Sequence, residues 1–400
     1  MYPRGNIPRP PEATVQPGAP EPGPEISTYH HHRTNPTTDP RRRHDHPPRS
    51  TRIHPALRPL ERPRPRLPVT TPRQAPRSAD PARACARPTD RQEPAMPLAN
   101  DAPARAAVRR AYRLLGKLNR IVNRLEREAG RTRLVSRPVT VDLVITKACN
   151  LACVFCKDYD TPTGAQRASL PAIERLARQV FPYASSLNIC SGGEPYLHRD
   201  LLDILRVGRR YGLDTWLLSN GMLMNDDVMR TIVTEQLVTA HGISYDGIDP
   251  DTVAAIRVGA DPARIVASAR HLLRLRRELG ARHPRLVIRY AMMRSNIEQL
   301  SAAVDFWGRM GADEIHASYL SLANGMDPDE SLYHHQDLYA AMRSAAHVVA
   351  TGYPRLRLKT PPTVAEERER PTPRDCRSPW TFVMIDANGE VMPCYRSFEA

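Results

Sequence analysis

Thr146-Lys147-Ala148-Cys149-Asn150-Leu151-Ala152-Cys153-Val154-Phe155-Cys156-Lys157 crowds three cysteines into eight residues. It directly follows the apolar run Val141–Thr146, which reads as a short buried strand. Gaps of three and two residues let one loop bring three thiolates around a single metal centre. Thiolates are soft ligands and select zinc or iron–sulfur. A protein-held [4Fe–4S] cluster takes four cysteines as a rule. No fourth cysteine is near in sequence, so three ligands would leave one iron open to a second molecule. The competing assignment is a structural zinc with a remote fourth ligand such as a histidine. Structural zinc sites usually show a second pair of closely spaced ligands, and none is present.

Outward from this loop, short apolar runs alternate with helical patterns. Candidate strands are Val141–Thr146, Leu187–Cys190, Thr215–Leu218, Val238–Ser244, Leu286–Met292 and Glu314–Tyr319. Between them lie helical stretches near residues 170–182, 199–211, 226–235, 262–279 and 297–309, and another follows at 332–350. Strand-then-helix repetition predicts a parallel sheet. Six such units fall short of the eight that close a full barrel. After the second strand comes Ser191-Gly192-Gly193-Glu194-Pro195. The glycines allow close backbone approach, Glu194 offers a carboxylate to an ammonium group, and Pro195 fixes a turn. Taken alone, this motif would also suit an ordinary strand–helix turn.

Together the two motifs resemble the signature of the radical S-adenosylmethionine (SAM) superfamily: Cys-x3-Cys-x2-Cys with Phe155 before the last cysteine, then Gly-Gly-Glu-Pro after the next strand. The resemblance spans roughly residues 139–320. It implies an α/β fold, a partial (β/α)6 TIM-like barrel, with the cluster at the C-terminal mouth of the strands. Cys149, Cys153 and Cys156 would hold the [4Fe–4S] cluster. Gly192, Gly193, Glu194 and Pro195 would cradle SAM, with Glu194 on its amino group. Ser219 and Asn220, before Gly221, resemble the segment that contacts the SAM ribose. Ser244 and Asp246 resemble the next strand end, and Asn296 sits where the family often contacts SAM or substrate. Asn-Gly and Asp-Gly are also common turn formers, so each of these later matches has a plain structural reading. Cys190, ending a buried strand, is expected in the core.

Cys376 and Cys394 frame Pro379-Trp380 and Gly389, in the spacing that opens the auxiliary-cluster extension called SPASM or twitch. Those extensions need further cysteines, and only six residues follow Cys394. The expectation is a truncated extension over 353–400, with a hairpin turning at Asn388-Gly389 and a second iron–sulfur cluster only if the site is completed. Two structural cysteines flanking a hairpin are the alternative.

The N-terminal part differs in kind. Of 40 prolines, 23 lie in residues 1–100, beside Arg41, Arg42, Arg43 and the run His30, His31, His32. Such a stretch cannot bury enough apolar surface to offset its ordering entropy. Residues 1–100, which include Cys85, are therefore expected to form a disordered Pro/Arg/His-rich arm. Residues 101–135 should hold a basic amphipathic helix. Its apolar positions Ala107, Val108, Tyr112, Leu115, Leu118, Val122 and Leu125 are expected to pack on the core at 136–352. Formal net charge is +15, from 58 basic and 43 acidic residues.

A basic scaffold or nucleic-acid-binding protein with a structural metal site is the reading outside enzymes, but the arm lacks the interleaved aromatics of a single-strand binder. Neither a secretion signal nor a membrane span is evident. With its crowded cysteines the chain is expected in the reducing cytoplasm. The resemblance implies reductive SAM cleavage to a 5′-deoxyadenosyl radical that takes hydrogen from a ribosomal peptide or a sugar or aminocyclitol. The electron would come from an external flavodoxin or ferredoxin. No general acid or base is identifiable.

Overall fold

The computed structural model describes residues 102–156, 166–322, 325–369 and 376–394. The arm expected over 1–100 lies outside the described residues. In chain order the helices are α1 (Ala102–Glu128), α2 (Leu170–Val180), α3 (Leu201–Arg210), α4 (Asp226–Thr234), α5 (Pro250–Ile256), α6 (Pro262–Glu278), α7 (Leu300–Met310), α8 (Gln336–Ala350), α9 (Val364–Arg368) and α10 (Ser378–Thr381). The strands are β1 (Thr140–Leu143), β2 (Ala152–Cys153), β3 (Ser186–Ile189), β4 (Asp214–Ser219), β5 (Ala240–Ser244), β6 (Arg257–Val258), β7 (Arg285–Met292), β8 (Glu314–Tyr319), β9 (Arg357–Lys359), β10 (Phe382–Ile385) and β11 (Val391–Met392).

The six expected strands are β1, β3, β4, β5, β7 and β8, and they lie side by side in that order, each pair parallel. The sheet continues beyond them. β9 adds in parallel to β8, and the hairpin β10–β11 adds to the other edge. Nine strands thus form one sheet in the order β11-β10-β1-β3-β4-β5-β7-β8-β9. The hairpin expected at Asn388-Gly389 is present. Its parallel register on β1 (Val141 opposite Val383, Leu143 opposite Ile385) makes it part of the core sheet.

Side-chain caps mark where several of the helices begin. Asp249 and Asp261 cap α5 and α6 through their carboxylates, each followed by a proline at the first helical position. A proline there gives up only an amide that has no helical partner. Two apolar clusters fill the space between helices and sheet. Phe181, Leu187, Ile204 and Leu217 anchor the cluster beneath α2 and α3. Tyr290, Trp307, Tyr339 and Leu272 anchor the one beneath α6, α7 and α8. Each fully buried side chain of this size contributes roughly 1.5–3 kcal/mol.

Helix α1 overturns an expectation. Tyr112 does face inward, against Tyr211 with ring centroids 4.9 Å apart. Val108 is half-buried and Gly116 buried beside it, but the other buried positions of the helix are polar. Asn119 donates to the carbonyls of Arg137 (2.9 Å) and Tyr183 (3.0 Å). Asn123 donates to Ser136 Oγ (3.0 Å) and the Trp380 carbonyl (2.7 Å). The Glu126 carboxylate accepts the amides of Val135 (2.8 Å) and Ser136 (3.1 Å). Leu115, Leu118, Val122 and Leu125 face outward. The reason is satisfaction of the segment that follows the helix: its carbonyls and amides would be buried without partners unless α1 turned its amides and carboxylate toward them.

Candidate active site

The cysteine loop leaves the C-terminal end of β1 and is held from two sides. On one side it forms a short antiparallel ribbon with the segment after α5, Ala152 opposite Val258 and Cys153 opposite Arg257. The Val154 amide adds a bond to the Ile256 carbonyl at 3.0 Å. On the other side lies the Gly192–Pro195 turn. The Gly193 amide donates to the Thr146 carbonyl and the Glu194 amide to the Ala148 carbonyl, both at 2.8 Å.

These contacts explain the glycines better than close approach to a ligand does. A Cβ on Gly193 would stand 2.0 Å from the Ala148 carbonyl oxygen. One on Gly192 would meet Val144 at 2.4 Å, and Gly192 also has φ +82°. The two loops touch backbone to backbone, and a side chain at either position would push them apart.

Glu194 is buried and ties the turn to the end of β4. Its carboxylate accepts Ser219 Oγ (2.9 Å) and the amides of Asn220 (2.8 Å) and Tyr196 (3.1 Å). Burial raises its pKa above the usual carboxylate range, with those three hydrogen bonds opposing. Pro195 starts the 3-10 turn that follows. The Asn220 amide reaches back to the cysteine loop, donating to Asn150 Oδ1 (2.9 Å) and toward Cys149 Sγ (3.9 Å).

A second chain of contacts runs from Cys153 to the ends of β5 and β7. Arg257 directs Nη1 toward Cys153 Sγ (3.7 Å), meets Asp246 Oδ2 through Nε (2.6 Å), and lies over the Phe155 ring, 5.3 Å from its centroid. Burial pulls the Arg257 pKa down, but Asp246 and Cys153 outweigh it and the group stays firmly charged. Asp246 Oδ1 accepts the Ala291 amide at 2.7 Å. Asn296 is fully buried, and its amide is taken up by the backbone: Nδ2 donates to the carbonyls of Asp246 and Ala291, and Oδ1 accepts the Met293 amide. Its position is that of a brace beneath Asp246. Ser244 is buried at the end of β5.

Cys149 is exposed, and Cys153 and Cys156 are half-buried. Burial pushes the Cys153 thiol up to about 11, against the pull of Arg257, and raises Cys149 as well. Metal must displace those protons, since the thiolate is the ligand. Among the described residues no three His, Cys, Asp or Glu side chains converge on a point that would hold a single ion. A four-iron cluster binds each thiolate to a different iron, so its ligands need not converge. The donor set fits such a cluster: three soft ligands on one loop, with N–H donors from Arg257 and Asn220 aimed at two of the sulfurs. Cys190 is half-buried and donates to Asp142 Oδ2 at 3.2 Å. Cys376 is exposed and Cys394 half-buried, flanking α10 and the hairpin. No third metal-ligating side chain among the described residues joins them.

The sequence reading missed three relationships around this site. Arg257 is one of 58 basic residues, and only its place between Ile256 and Val258 sets it apart. Tyr196 Oη and His241 Nε2 meet at 2.9 Å beneath the Glu194 turn. Lys147 pairs with the buried Asp386 at 3.9 Å, joining the cysteine loop to the hairpin. Neither of these pairs leaves a local signal, because the partners are far apart in sequence.

Residues 143–306 match the Radical SAM superfamily. The chain is similar to a PqqA peptide cyclase of Gluconobacter oxydans, 24% identical over 66% of this chain and 71% of that protein. It is also similar to a probable GTP 3′,8-cyclase of Pyrococcus horikoshii, 34% identical over 28% of this chain and 36% of that protein. Among solved structures, SuiB of Streptococcus suis bound to the precursor peptide SuiA has the same fold, with a TM-score of 0.55 at 18% identity, over 66% of this chain and 60% of that one. The chain thus spans less than two thirds of SuiB and about a third of the GTP cyclase. Residues 143–306 are thus similar to the radical SAM domain, a family that uses a [4Fe–4S] cluster and SAM. That family match ends at residue 306, ahead of the extension expected over 353–400.

Proposed function

We propose that this chain cleaves SAM reductively at a [4Fe–4S] cluster held by Cys149, Cys153 and Cys156, and takes a hydrogen atom from a ribosomally made peptide. The observation that carries the reading is the clasp around the cysteine loop. The Gly192–Glu194 turn grips one side, backbone to backbone, and Arg257 and Asn220 point N–H groups at two of the thiols. Together the cluster and SAM supply a 5′-deoxyadenosyl radical; the protein supplies position and exclusion of water. Glu194 presents a buried carboxylate at the strand ends for the SAM amino group, and Ser219 and Asn220 hold it there. Asp246, braced by Asn296, holds Arg257 against the loop. The electron comes from a flavodoxin- or ferredoxin-type donor.

The peptide assignment rests on the breadth of the similarity to the PqqA peptide cyclase, which extends over most of both chains. A small-molecule substrate is favoured instead by the higher identity to the GTP cyclase, over a much shorter stretch.

Anaerobic reconstitution should give about four irons per chain at this loop. Cys153→Ala should abolish 5′-deoxyadenosine formation after dithionite reduction. Glu194→Ala should keep the iron and weaken SAM binding. Wild-type 5′-deoxyadenosine from Cys153→Ala, or stoichiometric zinc in place of iron, would sink the cofactor assignment. Mass spectrometry of a precursor peptide encoded beside the gene tests the substrate. An unchanged peptide alongside a converted nucleotide or sugar would move the assignment to small molecules.

A further inference from the structure

Helix α1 docks by its polar face and leaves an apolar stripe uncovered. Leu114, Leu118, Ile121 and Leu125 are each between 51% and 60% exposed, and Leu115 and Val122 lie beside them at 37% and 41%. These positions recur at three- and four-residue steps, so they form one continuous ridge along the helix. An isolated exposed leucine needs no explanation, whereas a contiguous ridge of six large side chains marks a contact surface.

The charge beside the ridge says what it meets. Helix α1 carries Arg105, Arg109, Arg110, Arg113, Lys117, Arg120, Arg124 and Arg127 against only Glu126 and Glu128. Glu126 is buried beneath the helix, holding two backbone amides. Glu128 pairs with Arg124 at 2.9 Å. The neighbouring helix α3 adds Arg209, whose pKa burial pulls down and Arg109 and Arg113 push down further. Arg113 itself is engaged at the contact with α3, its Nε donating to the Gly212 carbonyl at 3.0 Å, while Arg110, Lys117, Arg120 and Arg124 are exposed and form a cationic flank that gains from an anionic partner.

We infer that α1 lies in the surface of an anionic phospholipid bilayer, with Leu114, Leu118, Ile121 and Leu125 among the acyl chains and its arginines on the lipid phosphates. A helix with one apolar and one strongly cationic face, flat along its length, is the form that binds such interfaces. The other occupants fit the charge less well. A second copy would bring one set of eight cations against another. Residues 1–100 hold 17 basic and 9 acidic side chains, so they too would repel the helix. An acidic amphipathic peptide matches the charge, but the stripe runs along the convex surface of a single helix, whereas amphipathic peptides dock into grooves. No described helix is long and apolar enough to cross a membrane, so the contact is peripheral.

Co-sedimentation of the full reconstituted chain with vesicles tests this, using phosphatidylcholine alone or mixed with phosphatidylglycerol. The expected result is binding to the mixed vesicles only, weakening as salt rises. The double variant Leu118→Asp, Ile121→Asp should lose at least tenfold in affinity. Its 5′-deoxyadenosine yield and melting temperature should be unchanged, because both side chains point away from the core. Absence of binding to the mixed vesicles overturns the inference, and so does binding that the double variant retains. A dimer in sedimentation equilibrium that the double variant abolishes would assign the ridge to a second copy. An acidic peptide that binds the ridge while vesicles do not would assign it to a protein partner. The vesicle result is independent of SAM chemistry, so its failure leaves the proposed function standing.

Discussion

Arg257 and Asp246 form a buried ion pair at 2.6 Å that fastens the cysteine loop to the end of the sheet. Arg257 belongs to the ribbon that pairs with Cys153, while Asp246 belongs to the end of β5 and binds the Ala291 amide on β7. Breaking such a pair strands a charge in the interior, which typically costs about 3–5 kcal/mol. Arg257→Met should therefore destabilise the protein by roughly that amount and lower its iron content. The double variant Arg257→Met, Asp246→Asn should recover part of the stability, because no lone charge remains. Denaturant unfolding of wild type, Arg257→Met, Asp246→Asn and the double variant measures the coupling. Strictly additive losses would show that the two groups do not act as a pair.

The glycines at the clasp make a second test. Gly193→Ala should cost several-fold in iron retained after desalting, since its Cβ would overlap the Ala148 carbonyl. Gly389 is a matched control. It has φ +90° with nothing within 4 Å of a Cβ, so Gly389→Ala should cost only about 1–2 kcal/mol of backbone strain and leave iron content alone. Equal iron loss in both variants would refute the clasp.

A pH test follows from His241, which is fully buried with its pKa pulled down to about 4 by burial. Its ordinary value is about 6.5. The folded protein therefore holds it neutral where the unfolded chain would protonate it. The resulting stability is fully present above about pH 6.5 and is lost as pH falls toward 4, by up to ~3 kcal/mol. His241→Gln should flatten the stability–pH curve across that window relative to wild type. Identical slopes for the two proteins would place the titration elsewhere.

Asp386 joins the hairpin to the cysteine loop. Its carboxylate accepts the amides of Asn388 (2.8 Å) and Glu390 (2.9 Å) and faces Lys147. Asp386→Ala should destabilise by about 2 kcal/mol, through amides left without partners. It should also quicken oxygen-driven loss of the visible absorption of the reconstituted protein. A change in stability without any change in that rate would confine the role of Asp386 to the turn.

The parts of this fold that were legible in the sequence are those set by local pattern. Val141–Thr146 through Glu314–Tyr319 read as strands because each is a short apolar run bounded by turn residues. The cysteine spacing and Gly192–Pro195 stood out because chemistry demands those residue types at those steps. What escaped were pairings across long separations. Nothing near Phe382 says that it will lie against Thr140, and nothing near Arg257 says that it will face Cys153. Helix α1 shows a subtler limit. Periodicity revealed an apolar face but not which face would dock. The signal was present in Asn119, Asn123 and Glu126, which recur at four- and three-residue steps and form a polar stripe of their own. Only their partners, such as the carbonyls of Tyr183 and Trp380, explain why that stripe turned inward.

The seating of β10 beside β1 also sets an order of events during synthesis. The strand that launches the cysteine loop emerges from the ribosome long before the one that covers its outer edge. The bond from Asn123 to the Trp380 carbonyl spans 257 residues. Until that late segment emerges, β1 presents an open edge to other nascent chains, and Lys147 lacks its carboxylate. Loops this long close late, after the helices and neighbouring strands have formed. Nascent chains arrested before Phe382 should therefore bind holdase chaperones more than chains released after Met392, and the cysteine loop should take up iron only once the hairpin has closed.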